Sequence, residues 1–311
     1  MKLKILIAVY NDWSSLDILL GEINKKLHLT VWKNYEVYIV NDASTVEIPE
    51  KIKRKTKIIN LFNNIGSQGA ISIGVKYIQK NIDDMTHLLI MDSDGEDRPE
   101  DITRLLNKCQ TDESKIVFAS RKKRKESILF RTLHFTYKKI FKMLIGMDLD
   151  FGNFSCMSKA NLKKIVNINN LQNHFSASIL RSKIPFNKID CEKGFRIEGD
   201  SKLNFWKHFA HALMSLSVFV DLIAIKFFFI SLVGIVLSIF FAVSIFLMKF
   251  YFPIMLLGLA SNILLSLAII IIVLFLISLF SLIIFLNNKN QNYSPSNKSI
   301  DHLIESIEDL S

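Results

Sequence analysis

Over the first 120 positions, short apolar runs rich in Ile, Val, Leu and Tyr alternate with stretches whose apolar residues recur at helical spacing. The runs at 3–10, 36–40, 57–62, 88–91 and 116–119 predict strands, and the stretches at 14–27, 68–79 and 99–109 predict helices. Pro99 in the first turn of the last stretch, followed by Glu100 and Asp101, is what a helix N-terminus favours. Alternating units of this kind predict an α/β protein with a mostly parallel, doubly wound sheet. Such sheets bind ligands beyond the carboxyl ends of their strands, so polar residues there carry the functional signal.

The pattern changes after residue 200. Leu203, Trp206, Phe209, Ala210, Leu213, Leu216 and Val220 recur at helical spacing while Lys207, His208 and His211 take other faces, which predicts a helix lying in a membrane interface. Segments 227–248 and 253–286 are nearly free of charge, and each meets the roughly 20 residues needed to cross a bilayer. The second is too long for one untilted span, so 253–262 predicts a turn or interfacial piece before a span at 263–286. Residues 287–299, rich in Asn, Ser and Lys, read as a linker or disordered segment. Residues 301–310 have the spacing of a short acidic amphipathic helix through Leu303, Ile304, Ile307 and Leu310.

Composition sharpens this outline. Half of the 311 residues are hydrophobic, which excludes a disordered chain. The formal charge of +10 is concentrated before residue 227, where 36 Lys and Arg face 25 Asp and Glu. The positive-inside rule then predicts a multi-pass protein of the cytoplasmic (inner) membrane, with its globular domain and both termini cytosolic. The apolar stretch at 3–10 is too short for a cleavable signal. A basic chain also raises the question of nucleic acid, but no nucleic-acid motif is present, and anionic headgroups account for basic charge beside a membrane anchor. Cys109, Cys156 and Cys191 have neither metal-ligand spacing nor an even disulfide count, which predicts reduced thiols.

Three strand ends carry candidate chemistry. The fourth predicted strand runs into Asp92-Ser93-Asp94-Gly95-Glu96, and hard oxygen ligands at such a place suit Mg²⁺ or Mn²⁺ together with the phosphates of a nucleotide. The first ends in Ala8-Val9-Tyr10-Asn11-Asp12 and the second in Asn41-Asp42-Ala43-Ser44-Thr45. A carboxylate there can accept from a base N–H, and the Tyr10 ring offers a stacking wall. Each motif alone also reads as a helix cap or turn. Gly66, Gly69, Ala70 and Gly74 let the third helix approach the sheet or a ligand closely, without forming a dinucleotide fingerprint or a P-loop. A basic run, Arg121 to Lys125, follows the fifth strand, and His174 lies in a loop or helix further on.

Taken in order, these residues resemble the family 2 glycosyltransferases of GT-A fold. The branch most similar is the polyprenyl-phosphate glycosyltransferases, which include dolichol-phosphate mannose synthase and bacterial undecaprenyl-phosphate sugar transferases. The resemblance also rests on Asn64-x-Gly66, Ser120-Arg121, Asp150-Phe151-Gly152-Asn153-Phe154-Ser155 and Arg196-x-x-Gly199-x-Ser201-Lys202. It implies a GT-A catalytic domain over 1–202, an amphipathic interfacial helix over 203–226, two transmembrane helices with a short turn over 227–286 and a polar, disordered tail over 287–311. It implies that Ala8, Tyr10, Asp12, Asp42 and Asp92 bind the nucleotide, and that Asp92 and Asp94 sit at diphosphate and metal. Glu96 stands where many relatives have Gln and is expected to add a third oxygen ligand. Asp150 would face the acceptor, while Arg121, Arg131, Arg196 and Lys202 are candidates for its phosphate.

The partners so implied are a UDP- or GDP-sugar, a polyprenyl-phosphate acceptor and the membrane, with a homo-oligomer left open. A lipid phosphate is largely ionised near neutral pH and needs no strong base, so inverting transfer would rest on positioning and charge. The alternatives are a hydroxyl acceptor on a lipid or polysaccharide, for which Asp150 would be the general base, and a non-catalytic membrane scaffold.

Overall fold

The structure, a computed structural model, describes residues 2–82, 84–121, 128–197, 205–251, 259–292 and 300–308. In chain order these form β1 (Leu3–Val9), α1 (Trp13–Leu27), β2 (Tyr35–Asn41), α2 (Glu50–Lys53), β3 (Lys57–Leu61) and α3 (Gly66–Lys80). Next come β4 (His87–Asp92), α4 (Pro99–Thr111), β5 (Ile116–Arg121), α5 (Ile128–Ile145), β6 (Ser155–Ser158) and α6 (Lys159–Ile165). The chain continues through α7 (Phe175–Ser182), β7 (Phe186–Cys191), α8 (Phe205–Ser217), α9 (Val220–Tyr251) and α10 (Leu259–Asn292) to β8 (Ile304–Glu308).

Among the described residues the strands make one sheet in the order β7-β5-β6-β4-β1-β2-β3-β8. β1 lies at its centre, parallel to β2 and β4. Leu3, Ile5, Leu6 and Ile7 are fully buried there, which is the near-continuous apolar run expected of a parallel strand covered on both faces. The register sets Ala8 beside both Val40 and Asp92, so the loops after β1, β2 and β4 leave from one edge. α3 packs on this region through Gly74, where an added Cβ would collide with Leu6 and Val40. Gly74 therefore serves helix-to-sheet contact, whereas a Cβ at Gly69 would meet Ile65 and Gly66, at φ 81°, has open space around it. Cys109, Cys156 and Cys191 are free and buried.

The sheet is mixed rather than mostly parallel throughout, because β6 runs antiparallel to β4 and β5, and β8 antiparallel to β3. The helix expected over 301–310 is instead a 3-10 turn, Asp301–Leu303, followed by a strand. The physical reason is the open edge of β3, whose unpaired backbone groups give Ile304 to Glu308 a ladder that a short isolated helix lacks. Lys80 and Asp301 make an ion pair at 2.8 Å beside this ladder. The result is a GT-A-like mixed sheet with helices.

The chain divides into two compact units. The first comprises residues 1–139, 148–218 and 295–311, and the second 140–147 and 219–294. Within the second, Val220–Met248 and Asn262–Asn287 are apolar enough to cross a membrane, with mean hydropathy 2.7 and 3.4. Only 11% of either apolar window is buried. So much exposed hydrocarbon is stable against lipid and costly against water. The expected turn at 253–262 lies largely outside the described residues.

His174 is a helix cap. Its Nδ1 accepts from the backbone N–H of Ala177 at 3.3 Å at the start of α7, and its ring meets that of His211 edge-on with centroids 4.6 Å apart. Burial, with a smaller contribution from His211, lowers its pKa to about 3. The unfolded chain therefore takes up a proton below about pH 6.5 that the folded chain refuses until about pH 3, and stability falls as pH drops through that window. The loss at pH 5 should be about 2 kcal/mol. Melting temperatures in detergent micelles from pH 7 to 5 should decline more steeply for the wild type than for His174→Asn, which keeps a capping oxygen without the titration.

Candidate active site

The loops after β1 and β2 are stitched together by one side chain. Asn11, itself left-handed at φ 55°, accepts through Oδ1 from the N–H groups of Thr45 and Val46 at 2.8 and 3.0 Å. Its Nδ2 donates to Thr45 Oγ1, and its own N–H donates to Ser44 Oγ, both at 3.0 Å. Ala43 is also left-handed at φ 54°, a strained setting for an L side chain. Tyr10 is 43% exposed beside this loop. Asp12 accepts from the Ser15 hydroxyl at 2.7 Å at the start of α1, so its side chain is engaged as a local turn.

Asp42 is 2% exposed, and its two carboxylate oxygens accept from the N–H groups of Ile65 and Gly66 at 2.8 and 2.9 Å. Its carbonyl accepts from Asn64 Nδ2 at 3.2 Å. Burial pushes its pKa up, and the two backbone donors pull it back. This carboxylate ties the β2 loop to the N-terminus of α3, where free N–H groups favour negative charge.

The acidic loop after β4 is held from two directions. Asp92 Oδ1 accepts from Asn153 Nδ2 at 3.4 Å, Asn153 Oδ1 accepts from Gln68 Nε2 at 3.2 Å, and Gln68 Oε1 accepts from the Phe175 N–H at 2.7 Å. From the other direction the segment after β7 crosses the loop. Gly194 N–H donates to the Glu96 carbonyl at 2.9 Å and Ile197 N–H to the Asp94 carbonyl at 3.1 Å. The approach leaves no room for a side chain at Gly194, whose added Cβ would strike Gly95 O. Lys193 pairs with Glu96 at 3.1 Å, Arg196 with Asp94 at 3.4 Å and Arg98 with Glu192 at 2.8 Å. Burial raises the pKa of Asp94, Glu96 and Asp97 add to the rise, and the Glu96 N–H and Arg196 oppose it.

Of the expected metal set, Asp92 and Asp94 share the strand end, while Glu96 is drawn into its pair with Lys193. Among the described residues no three His, Cys, Asp or Glu are grouped as metal ligands. Two carboxylates at a strand end still fit a small hard cation that takes its remaining oxygens from phosphate and water.

Asp150 grips Lys188 through both oxygens at 2.9 and 2.8 Å, and its carbonyl accepts from Ser120 Oγ at 3.3 Å at the end of β5. Arg196, expected at the acceptor phosphate, faces Asp94 in this arrangement. Lys202 and the side chains of Arg121 and Arg131 lie outside the described residues. Lys188 and Lys193 carry no motif in the sequence, and Asn11 and Gln68 stand among motif residues without a role of their own. Lys188 lies within a half-exposed strand and Lys193 just after it, the mixed polarity there gives no strand signal, and Gln68 and Asn11 read as helix and turn residues.

The profile described as glycosyl transferase family 2 matches residues 4–167, more than half of the chain. An uncharacterized glycosyltransferase of Synechocystis is 26% identical over 227 residues, which cover 68% of this chain and 68% of that one. One from Bacillus subtilis is 30% identical over 169 residues, covering 50% and 49%. The undecaprenyl-phosphate 4-deoxy-4-formamido-L-arabinose transferase of Yersinia enterocolitica is 24% identical over 172 residues, covering 53% and 50%. The match thus spans about two thirds of the first relative's length and about half of the other two. Among solved structures, glucosyl-3-phosphoglycerate synthase from Mycobacterium tuberculosis, in complex with Mn²⁺, UDP-glucose and phosphoglyceric acid, aligns with a TM-score of 0.54 at 9% identity, over 71% of this chain and 79% of that one. That likeness speaks for the fold, and the profile match carries the family assignment. The chain belongs to glycosyl transferase family 2.

Proposed function

We propose that the protein is a membrane-bound, inverting glycosyltransferase that moves a sugar from a UDP- or GDP-sugar to a polyprenyl phosphate such as undecaprenyl phosphate. The observation that carries this reading is the sharing of one sheet by two features. The loops holding Asn11, Asp42, Asp92 and Asp94 leave one edge of it, and two exposed apolar helices are inserted in the chain between its strands β7 and β8. The name of the Yersinia relative, an undecaprenyl-phosphate transferase, agrees with it.

In this reading Tyr10, with Ala8 and Asp12 beside it, lines the base pocket, and Asp42 keeps the loop in shape by clamping it to α3. Asp94, with Asp92, would hold Mg²⁺ or Mn²⁺, and such an ion would supply positive charge against the donor diphosphate. Arg196, beside Asp94 at 3.4 Å, is a candidate for a phosphate together with Arg121, Arg131 and Lys202. Guanidinium groups suit that task because they meet phosphate oxygens in pairs.

The pairing of Asp150 with Lys188 favours a phosphate acceptor over a hydroxyl one. A carboxylate with both oxygens on an ammonium group is poorly placed to take a proton, whereas an ionised phosphate needs no base. Asp150 in this role positions Lys188 toward the acceptor.

The chain leaves the catalytic unit after residue 218 and rejoins it by residue 295. If the segment between enters a membrane, it must cross an even number of times, which supports two spans and a common side for the domain and both termini. The basic balance of the first 226 residues supports the cytoplasmic side.

Three outcomes follow. Membranes containing the protein, given labelled UDP- and GDP-sugars, undecaprenyl phosphate and Mg²⁺ or Mn²⁺, should yield label in the organic phase, and Asp94→Ala should abolish it; no label from any donor with folded, nucleotide-binding protein would remove the lipid-phosphate acceptor. Asp150→Asn should retain activity within about tenfold of wild type, because loss of an obligate base costs roughly 10²- to 10⁴-fold. Reporters fused to the two termini should both be labelled from the cytoplasmic side, and opposite labelling would refute the even crossing.

A further inference from the structure

The ends of four strands share a single cross-strand row. Val9 lies opposite Asn41, Asn41 opposite Asn60, and Asn60 opposite Ser306 of the last strand. Asn41 and Asn60 are both buried. Asn60 Nδ2 donates to Ser306 Oγ at 2.9 Å and to Glu308 Oε1 at 3.0 Å. Asn60 Oδ1 accepts from Asn41 Nδ2 at 2.8 Å, and Asn41 Oδ1 accepts from the Ser44 N–H at 3.0 Å. Ser44 Oγ in turn accepts from the Asn11 N–H at 3.0 Å.

A side-chain amide has one end that donates and one that accepts, so a row of two such groups has a direction. The two acceptors on β8 draw the NH₂ of Asn60 outward. Its oxygen must then face Asn41, the NH₂ of Asn41 must face Asn60, and the oxygen of Asn41 is left for Ser44. If the acceptors on β8 are removed, the Ser44 N–H alone holds the row in this direction, and any excursion of the loop that breaks that bond frees both amides to reverse. Reversal of the Asn60 amide sets NH₂ against NH₂, reverses Asn41 and presents a donor to the Ser44 N–H. Buried amides cannot leave such conflicts to water, so the conflict is passed to the loop.

We propose that Ser306 and Glu308 are positioning residues for the donor nucleotide: by orienting the amides of Asn60 and Asn41, they set the conformation of the loop over 42–46. This rests on the reading of that loop as part of the donor site. The residues that set it lie beyond α10, so the donor loop takes its shape from a stretch of chain placed after both apolar helices.

The test uses the full-length protein in detergent micelles. Ser306→Ala with Glu308→Ala removes both acceptors, and Ser306→Thr with Glu308→Gln keeps them. In the nucleotide-free protein, amide hydrogen exchange over 42–46 should quicken about three- to tenfold in the alanine pair and return to wild type in the Thr/Gln pair, with β1 unchanged. Should the alanine pair also loosen β3, Asn60→Ala, which leaves the backbone ladder of β8 in place, carries the same expectation. With UDP and GDP in the presence of Mn²⁺ as probes, the Kd of the nucleotide that binds should rise by a similar factor. The donor KM should rise with it, while kcat at saturating donor stays level. Unchanged exchange over 42–46 in the alanine pair, or equal quickening in both pairs, overturns the relay. Undiminished binding of both nucleotides by Asp42→Asn overturns the donor reading instead, and leaves the exchange result to judge the relay alone.

Discussion

A buried carboxylate accepting two backbone N–H groups is the contact on which the rest of the candidate site depends. Asp42 sits at the end of β2 and holds the first turn of α3 through Ile65 and Gly66. Without it the β2 loop would lose its tie to the first turn of α3, and the left-handed turn at Ala43 would lose the contact that offsets its strain. The desolvation that raises the pKa of Asp42 measures how much the arrangement costs. The two backbone donors, backed by the partial positive charge at the N-terminus of α3, compensate for it.

The same balance recurs in the acidic loop after β4, with a different solution. Asp92, Asp94, Glu96 and Asp97 crowd a few residues, and like charges at such range repel unless cations or neutral donors intervene. Asp97 accepts from the N–H of Asp92 and Asp92 from an amide, while Asp94 and Glu96 are ion-paired with Arg196 and Lys193. The segment carrying those cations is bound to the loop by two backbone hydrogen bonds and a Gly194 contact that admits no side chain. Neutralisation and closure are therefore properties of one short segment.

How far the sequence alone reached depended on what kind of signal each residue gives. The strands β1 to β5 and the helices α1, α3 and α4 stand out because apolar periodicity reports burial, and burial is what forms them. Strand β6, only four residues long, and strand β7, half exposed, report little, and with β7 went Lys188 and Lys193. Asp42 and Asp94 were conspicuous as carboxylates at strand ends, although their partners were not: backbone N–H groups leave no trace in composition. The C-terminal strand is the clearest reversal. Leu303, Ile304 and Ile307 fit a helical period, and the open edge of β3, a feature separated from them by more than half the chain, decided otherwise.

The strand β8 is made long after the strand it pairs with. β3 emerges from the ribosome early, yet its partner β8 is completed only after both apolar helices have been synthesised. At ordinary translation rates that interval is roughly 10 to 50 seconds. Throughout it the edge of β3 presents unpaired backbone groups and the amide of Asn60 has no outer acceptors. The nascent sheet is thus open at the edge of β3, exposed to strand pairing with other chains, until β8 is made. Synthesis of the two apolar helices and closure of the sheet are in this way ordered by translation itself.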